Sequence, residues 1–423
     1  MSYIFPALLL VGALLLSPPA QAQSAEEHVR IALEAAPSVA VARAEREIAL
    51  ARAEQRDIGE YETSLDAGFA RRQAESSSDT SEWQVGVTRS FRWPQKRRLD
   101  NELARTEMAM ADASYAAAWQ AEALEWVSLW VQWDQARALE AIMARRLEDA
   151  RARRDAEAIR VDQNRGRGVD LDRLERDLSL AAAALQGAQM DRELSRLALE
   201  ARFPGTARPE LAQGLLSDTC TLSQDTEDAL SDMLAANPQL HVARLELNHA
   251  ELMRQRAEYD RRADLQLGLQ VFSEQDGRET GVGVGVSLPI TGGLRAARLS
   301  EAASAQGGRV ASLAAAEAAI RRQALELIAR TIRNERQVEQ TREAVTAAER
   351  VLARLERGRD LEAVTVLDIL EARRALWDAR EAEIAASADR LNAQLQAAVQ
   401  LGCVLGGEGL SEETAQGRHL TRK

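Results

Sequence analysis

Two periods alternate along the chain. From Leu265 every second side chain is apolar (Leu265, Leu267, Leu269, Val271), with Gln266, Gly268 and Gln270 between them. The polar segment Ser273–Thr280 carries Asp276-Gly277, and the alternation then resumes as Val282, Val284, Val286 and Leu288 against Gly283, Gly285 and Ser287. A period of two around a turn signal predicts a β-hairpin over 263–290. A second predicted hairpin covers 61–92. There Thr63, Leu65, Ala67 and Phe69 oppose Ser64, Asp66, Gly68 and Ala70, while Trp83, Val85, Val87 and Phe91 oppose Gln84, Gly86, Thr88, Ser90 and Arg92. Arg89 is the exception on the apolar side. Each strand has about ten residues, enough to cross a bilayer at a tilt. The same alternation also fits soluble hairpins packed on a core.

Elsewhere the apolar positions follow a helical period. Ser24 to Glu60 reads as one helix, with Leu33, Val41, Ile48 and Ala51 near a common stripe. Gln95 to Gln163 holds neither Pro nor Gly, and as one helix would reach roughly 100 Å. Leu124, Val127, Trp130 and Val131 mark a coiled-coil-like seam in it, and Trp119, Trp126, Trp130 and Trp133 read as seam packing. Gly166 and Gly168 break the pattern, and Val169 to Glu200 is helical again. The second half offers Glu227 to Tyr259, Leu294 to Arg357 and Ala363 to Leu405. Helices this long need neighbours, and Ala-rich seams are expected to pack them without a globular core.

The halves repeat one another. Ala36-Pro37-Ser38-Val39 returns as Asn237-Pro238-Gln239-Leu240, Val85-Gly86-Val87 as Val284-Gly285-Val286, and Leu171-Asp172-Arg173-Leu174-Glu175 as Leu367-Asp368-Ile369-Leu370-Glu371. The offsets drift slowly through 201, 199 and 196 (237 − 36, 284 − 85, 367 − 171). The predicted organisation is a signal peptide over 1–22, a first repeat over 23–204, a linker over 205–226, a second repeat over 227–406 and a tail over 407–423.

Composition narrows the function. Aromatic residues are 4% and charged residues 28%, which suits long helices better than an ordinary core. A formal net charge of −12 excludes nucleic acid as a partner, and the only lysines are Lys96 and Lys423. Four histidines offer no zinc set: His241 and His249 share a helix face without a third ligand. No catalytic cluster stands out, so the expectation is a non-enzyme with no cofactor. Cys220 and Cys403 end the two halves, and whether they are bridged stays open. The apolar run Leu8 to Leu16 followed by Ala20-Gln21-Ala22 reads as a signal peptide, and no later stretch is long and apolar enough for a membrane helix.

An exported chain with membrane-length strands and no membrane helix suits an outer membrane. Four strands cannot close, because backbone polar groups left open in lipid are too costly and the smallest barrels have about eight strands. The chain must then share one barrel with copies of itself. Two copies make the minimum, and three make a channel of twelve strands with a glycine-rich, polar lumen.

The two-fold repeat, the Pro-initiated helices, the Gly-Val-Gly-Val strand ending in Leu288-Pro289-Ile290-Thr291-Gly292-Gly293, and the break followed by Leu-Asp-x-Leu together resemble the TolC-like outer-membrane efflux protein family. Phe91-Arg92-Trp93-Pro94-Gln95-Lys96-Arg97 resembles its heavy-metal, CzcC-like branch. The resemblance implies a mainly α fold: long periplasmic helical hairpins forming an α-barrel, plus four strands per chain in a shared trimeric twelve-stranded β-barrel. It implies a homotrimer in outer-membrane lipid, a periplasmic adaptor protein, and an inner-membrane proton-driven pump or transporter ATPase. It implies a gate at Asp368 and Glu371, whose three-fold rings would favour cations, although Glu362 stands where the family pattern has Gly. Gly166, Arg167, Gly358 and Arg359 become the expected adaptor-docking tips. The alternatives are the outer-membrane component of a type I protein-secretion system, which shares the fold, and a periplasmic coiled-coil protein that is no channel.

Overall fold

The structure, a computed structural model, describes residues 25–59, 61–74, 77–211, 215, 222–223, 225–290, 293–360 and 364–406. The expected signal peptide, Cys220, Glu362 and the 407–423 tail lie outside the described residues.

Helices α1 (Ala25–Glu34) and α2 (Pro37–Ile58) lead to strands β1 (Ser64–Ala74) and β2 (Ser77–Phe91), then to α3 (Pro94–Asp162) and α4 (Gly168–Arg202). The order recurs as α5 (Thr226–Ala236), α6 (Pro238–Tyr259), β3 (Leu265–Glu274), β4 (Glu279–Ser287), α7 (Gly293–Asp360) and α8 (Val366–Gln400). Matching elements have matching lengths: 22 residues in α2 and α6, 69 and 68 in α3 and α7, and 35 in α4 and α8.

Two helices expected to be continuous are broken. Proline lacks an amide proton and pushes the preceding residue out of helical geometry. Ala36 (φ −65°, ψ 135°) therefore separates α1 from α2 before Pro37, and Asn237 (φ −78°, ψ 114°) separates α5 from α6 before Pro238. Asn237 caps α6 by accepting a 2.9 Å bond from the Leu240 amide. The last helix stops at Gln400, earlier than the expected Leu405, and Gly402 (φ 67°) and Leu405 (φ 53°) turn the chain back.

The long helices pack side by side, and ion pairs show the order along them. Near the strands, α3 meets α2 through Arg56–Glu107 and Arg46–Asp112, and α6 through Arg256–Asp100. Near the far end it meets α4 through Arg192–Glu140 and α8 through Arg146–Glu381 and Arg373–Asp149.

The core sits at mid-length, where chain segments wrap α3. Trp119, Trp126 and Trp130 are almost wholly buried against Leu33 of α1, Phe203 after α4 and Val399 of α8. Each buried indole covers on the order of 150–250 Å². The Trp119 indole donates to the Leu405 carbonyl (2.7 Å) and the Trp130 indole to the Arg208 carbonyl (3.1 Å). The tryptophans pack as expected. The expectation that the helices would pack without a globular core is corrected by this aromatic belt, which ties both repeats and the segment between them to one helix.

Candidate channel face and helix-tip gate

The four described strands form one antiparallel sheet in the order β1-β2-β3-β4. Its register sorts the alternating residues into rows. On one face Ser64, Thr88, Gly268 and Gly285 align, then Asp66, Gly86, Gln270 and Gly283, then Gly68, Gln84, Phe272 and Gly281. On the other face Leu65, Val87, Leu269 and Val284 align, followed by Ala67, Val85, Val271 and Val282. The polar side is concave, with Asp66, Gln84, Thr88 and Gln270 lining a crevice along it. Phe272 is the large apolar residue on that side, and its ring lies over Gly281, where a Cβ would come within 2.4 Å of it. The apolar side is uncovered: Leu65 is 72% exposed, Phe69 75% and Val284 76%. So large an exposed apolar surface marks contact with something other than water.

A buried polar cluster fixes this sheet on the helices. Lys96 Nζ donates to the Arg262 carbonyl (2.8 Å) and pairs with Asp260 (2.9 Å) and Asp264 (3.0 Å). Asp100 accepts from Arg92 (2.6 Å) and Arg256 (2.7 Å), and Arg256 also pairs with Asp260. Three cations thus face three carboxylates, so charges that would be costly alone neutralise one another. The Trp93 indole adds a 2.8 Å bond to the Ala263 carbonyl. These contacts join the β2–α3 turn of one repeat to the α6–β3 turn of the other. One layer below, Glu107 receives Arg56 and His249 (3.0 Å). Burial alone would raise the Glu107 carboxyl, but the bonds from Arg56 and His249 outweigh it and hold it below its ordinary value.

The opposite ends of the helices form two tips. In the first, α3 stops at Asp162, Asn164 takes a left-handed conformation (φ 58°), and the Arg165 and Gly166 amides both donate to the Arg160 carbonyl. A Cβ on Gly166 would lie 2.8 Å from the buried Glu157 carboxylate and 2.9 Å from Val161, so the turn closes tightly. Arg167 is the extended, exposed residue just before α4. In the second tip, a Cβ on Gly358 would lie 2.6 Å from Val364 of the returning chain. The side chain of Arg359 lies outside the described residues.

Asp368 and Glu371 stand on the first turns of α8, both exposed. Asp368 completes a capping box: its carboxylate accepts from the Thr365 amide (2.9 Å) and hydroxyl (2.5 Å), and its own amide donates to the Thr365 hydroxyl (3.3 Å). The Thr365 hydroxyl and amide hold its carboxyl below the usual aspartate value.

Behind them lies a network that sequence reasoning missed. Arg373 of α8 grips both oxygens of Asp149 on α3 (2.7 and 2.9 Å) and also pairs with Glu356 of α7. Arg153 joins it from α3 through Asp149. Burial and the neighbouring Arg373 charge lower the Arg153 pKa, a sign of crowded cations. The network therefore links the first long hairpin to the second near their tips. His249, on Glu107, and His241 form no metal set, and no cluster of three or more metal-ligating side chains occurs among the described residues.

Solved structures share this arrangement. VceC, an outer-membrane protein from Vibrio cholerae, is similar over 90% of this chain and 96% of its own at 19% identity (TM-score 0.69). The Campylobacter jejuni CmeC outer-membrane channel is similar over 93% and 89% at 15% identity (TM-score 0.73). The open state of the Neisseria gonorrhoeae MtrE outer-membrane channel is similar over 90% and 89% at 18% identity (TM-score 0.71). No protein-family sequence model and no curated protein sequence matches the chain. The chain has the TolC-like outer-membrane channel fold, mainly helical with a small four-stranded sheet.

Proposed function

We propose that this chain is the outer-membrane exit duct of a tripartite efflux system. Three copies of the four-stranded sheet would close a twelve-stranded barrel in the membrane. The helical hairpins would continue it as a periplasmic tunnel. The observation that carries this reading is the registered sheet: one face is apolar and uncovered, the other polar and concave. Its outer strands, β1 and β4, need neighbours in lipid, and neighbouring copies supply them.

Export itself needs no catalytic group here. The duct is passive and takes its energy from an inner-membrane pump, reached through an adaptor at the tips around Gly166, Arg167, Gly358 and Arg359. The gate reading rests on α8. Glu371 presents a carboxylate with no hydrogen bond or ion pair to other described residues, and Asp368 is committed to capping the same turn. Arg373 acts as the latch, holding the two hairpins together until its pairs with Asp149 and Glu356 separate. Rings of Glu371 around a three-fold axis favour cations in the narrowed tunnel.

The test is reconstitution of the purified protein into planar bilayers. A heat-labile trimer with cation-preferring conductance supports the duct. Recovery as a soluble periplasmic monomer without conductance overturns it.

A further inference from the structure

Arg89 occupies the wrong face for its charge. It pairs in register with Leu267, which pairs with Val286, and its neighbours along that face of β2 are Val87 and Phe91. β2 is an inner strand of the sheet, so a copy docked at either edge leaves Arg89 uncovered. The side chain is exposed, and its one interaction among the described residues is with an aromatic ring: its guanidinium lies 5.9 Å from the centre of the Phe91 ring. No carboxylate among the described residues neutralises it.

Its depth gives the charge a purpose. The paired part of β2 ends at Phe91, two residues on, so Arg89 lies about 7 Å inside the helix-side rim of the sheet. The contact with Phe91 turns the side chain toward that rim, the direction in which a long cationic side chain snorkels out of an apolar layer. Phe91 and Trp93, 49% and 45% exposed, stand there as an interfacial aromatic belt. Arg261 and Arg262, just before β3, are exposed at the same rim, and neither guanidinium has a carboxylate partner among the described residues. In a chain of net charge −12, a guanidinium on the apolar face with no carboxylate partner among the described residues is complementary to an anion.

We propose that Arg89 binds the phosphate of an anionic phospholipid in the periplasmic leaflet of the outer membrane. This rests on the duct reading, which places the helix side of the sheet in the periplasm. The site anchors the depth of the barrel, because the arginine loses its phosphate if the sheet rises or sinks in the membrane.

The full-length protein is reconstituted in mixed phosphatidylglycerol and phosphatidylcholine vesicles, extracted gently, and its retained lipids are counted by native mass spectrometry. The wild type retains phosphatidylglycerol in excess. Arg89→Gln lowers that excess about fivefold, the worth of one surface arginine, and Arg89→Lys lowers it less. Arg89→Leu, which removes the charge without adding a polar group, must insert as well as the wild type and also lose the preference. Unchanged retention in the inserted Gln and Leu variants overturns the proposal and leaves the duct reading intact. Displacement of the lipid by millimolar inorganic phosphate overturns it in favour of a free-anion site. Failure of the wild type itself to insert sinks both readings.

Discussion

Adjacent residues on β4 separate the two faces of the sheet. Val284 sits on the apolar face in a row with Val87, four residues from Trp83 and four from Phe91. The eight steps from Trp83 to Phe91 cover about 27 Å along the strand, or about 20 Å of depth at a tilt near 40°. That approaches the ~25 Å apolar band of membrane barrels and puts Val284 near its centre. An arginine there costs about 2–4 kcal/mol, a factor of roughly 30 to 700 in the folding equilibrium per chain. Gly285 faces the concave side, and a Cβ on it meets nothing within 4 Å. In the proposed barrel an arginine at Gly285 enters the water-filled lumen and should leave insertion nearly unchanged. The assay is refolding from urea into lipid vesicles, read as the fraction of heat-modifiable protein. Val284→Arg should fold poorly, whereas Gly285→Arg should fold like the wild type and conduct with weaker cation preference. Equal folding of the two variants, or the reverse order, refutes the assignment of faces, since a one-residue step exchanges them.

At the second tip, Gly358→Ala collides with Val364, so it should lower the thermal midpoint, and adding Val364→Ala should restore part of the loss. Arg373→Ala should raise the open fraction of the reconstituted channel about 5- to 30-fold, the effect of losing about 1–2 kcal/mol in a partly exposed ion network. Single-channel recording checks this, and unchanged opening removes the latch. Because the Asp368 carboxyl lies below its ordinary value, its contribution to the cap is fully present above the unfolded aspartate value. That contribution is lost as pH falls through the lower folded one. Hydrogen-exchange protection in the first turn of α8, corrected for the intrinsic pH dependence of exchange, should therefore fall below about pH 4 in the wild type, while Asp368→Asn should be less protected already at neutral pH and vary less with acidity.

The strands were legible because both of their faces have demands, one apolar and one polar, and a period of two records them residue by residue. The long helices were legible because α3 lacks internal Pro and Gly. The breaks at Ala36 and Asn237 were signalled by the prolines that follow, but a continuing helical period hid them. The central core was only half visible. The row from Trp119 to Trp133 announces packing, yet the Leu405 carbonyl that satisfies Trp119 lies 286 residues away. The tip network has the same character: Arg373 and Asp149 are 224 residues apart, and each looks like one more charge on a solvated helix. Asp368 carried a local signal that favours a cap, since Thr365 followed three residues later by an acid is a helix start. Its side chain therefore has a structural duty beside any role in the gate.

Cross-linking in intact cells tests whether edge strands of separate copies close the barrel. Leu65 on β1 and Val282, Val284 and Val286 on β4 share the apolar face. Leu65→Cys is combined in turn with cysteine at each of the three β4 positions, so that one register brings the pair within disulfide reach. Closure by three copies should give a covalent ladder that ends at the trimer and sediments with the outer membrane. Chains that stay un-cross-linked in all three pairings, or products found in the soluble periplasm, would contradict it.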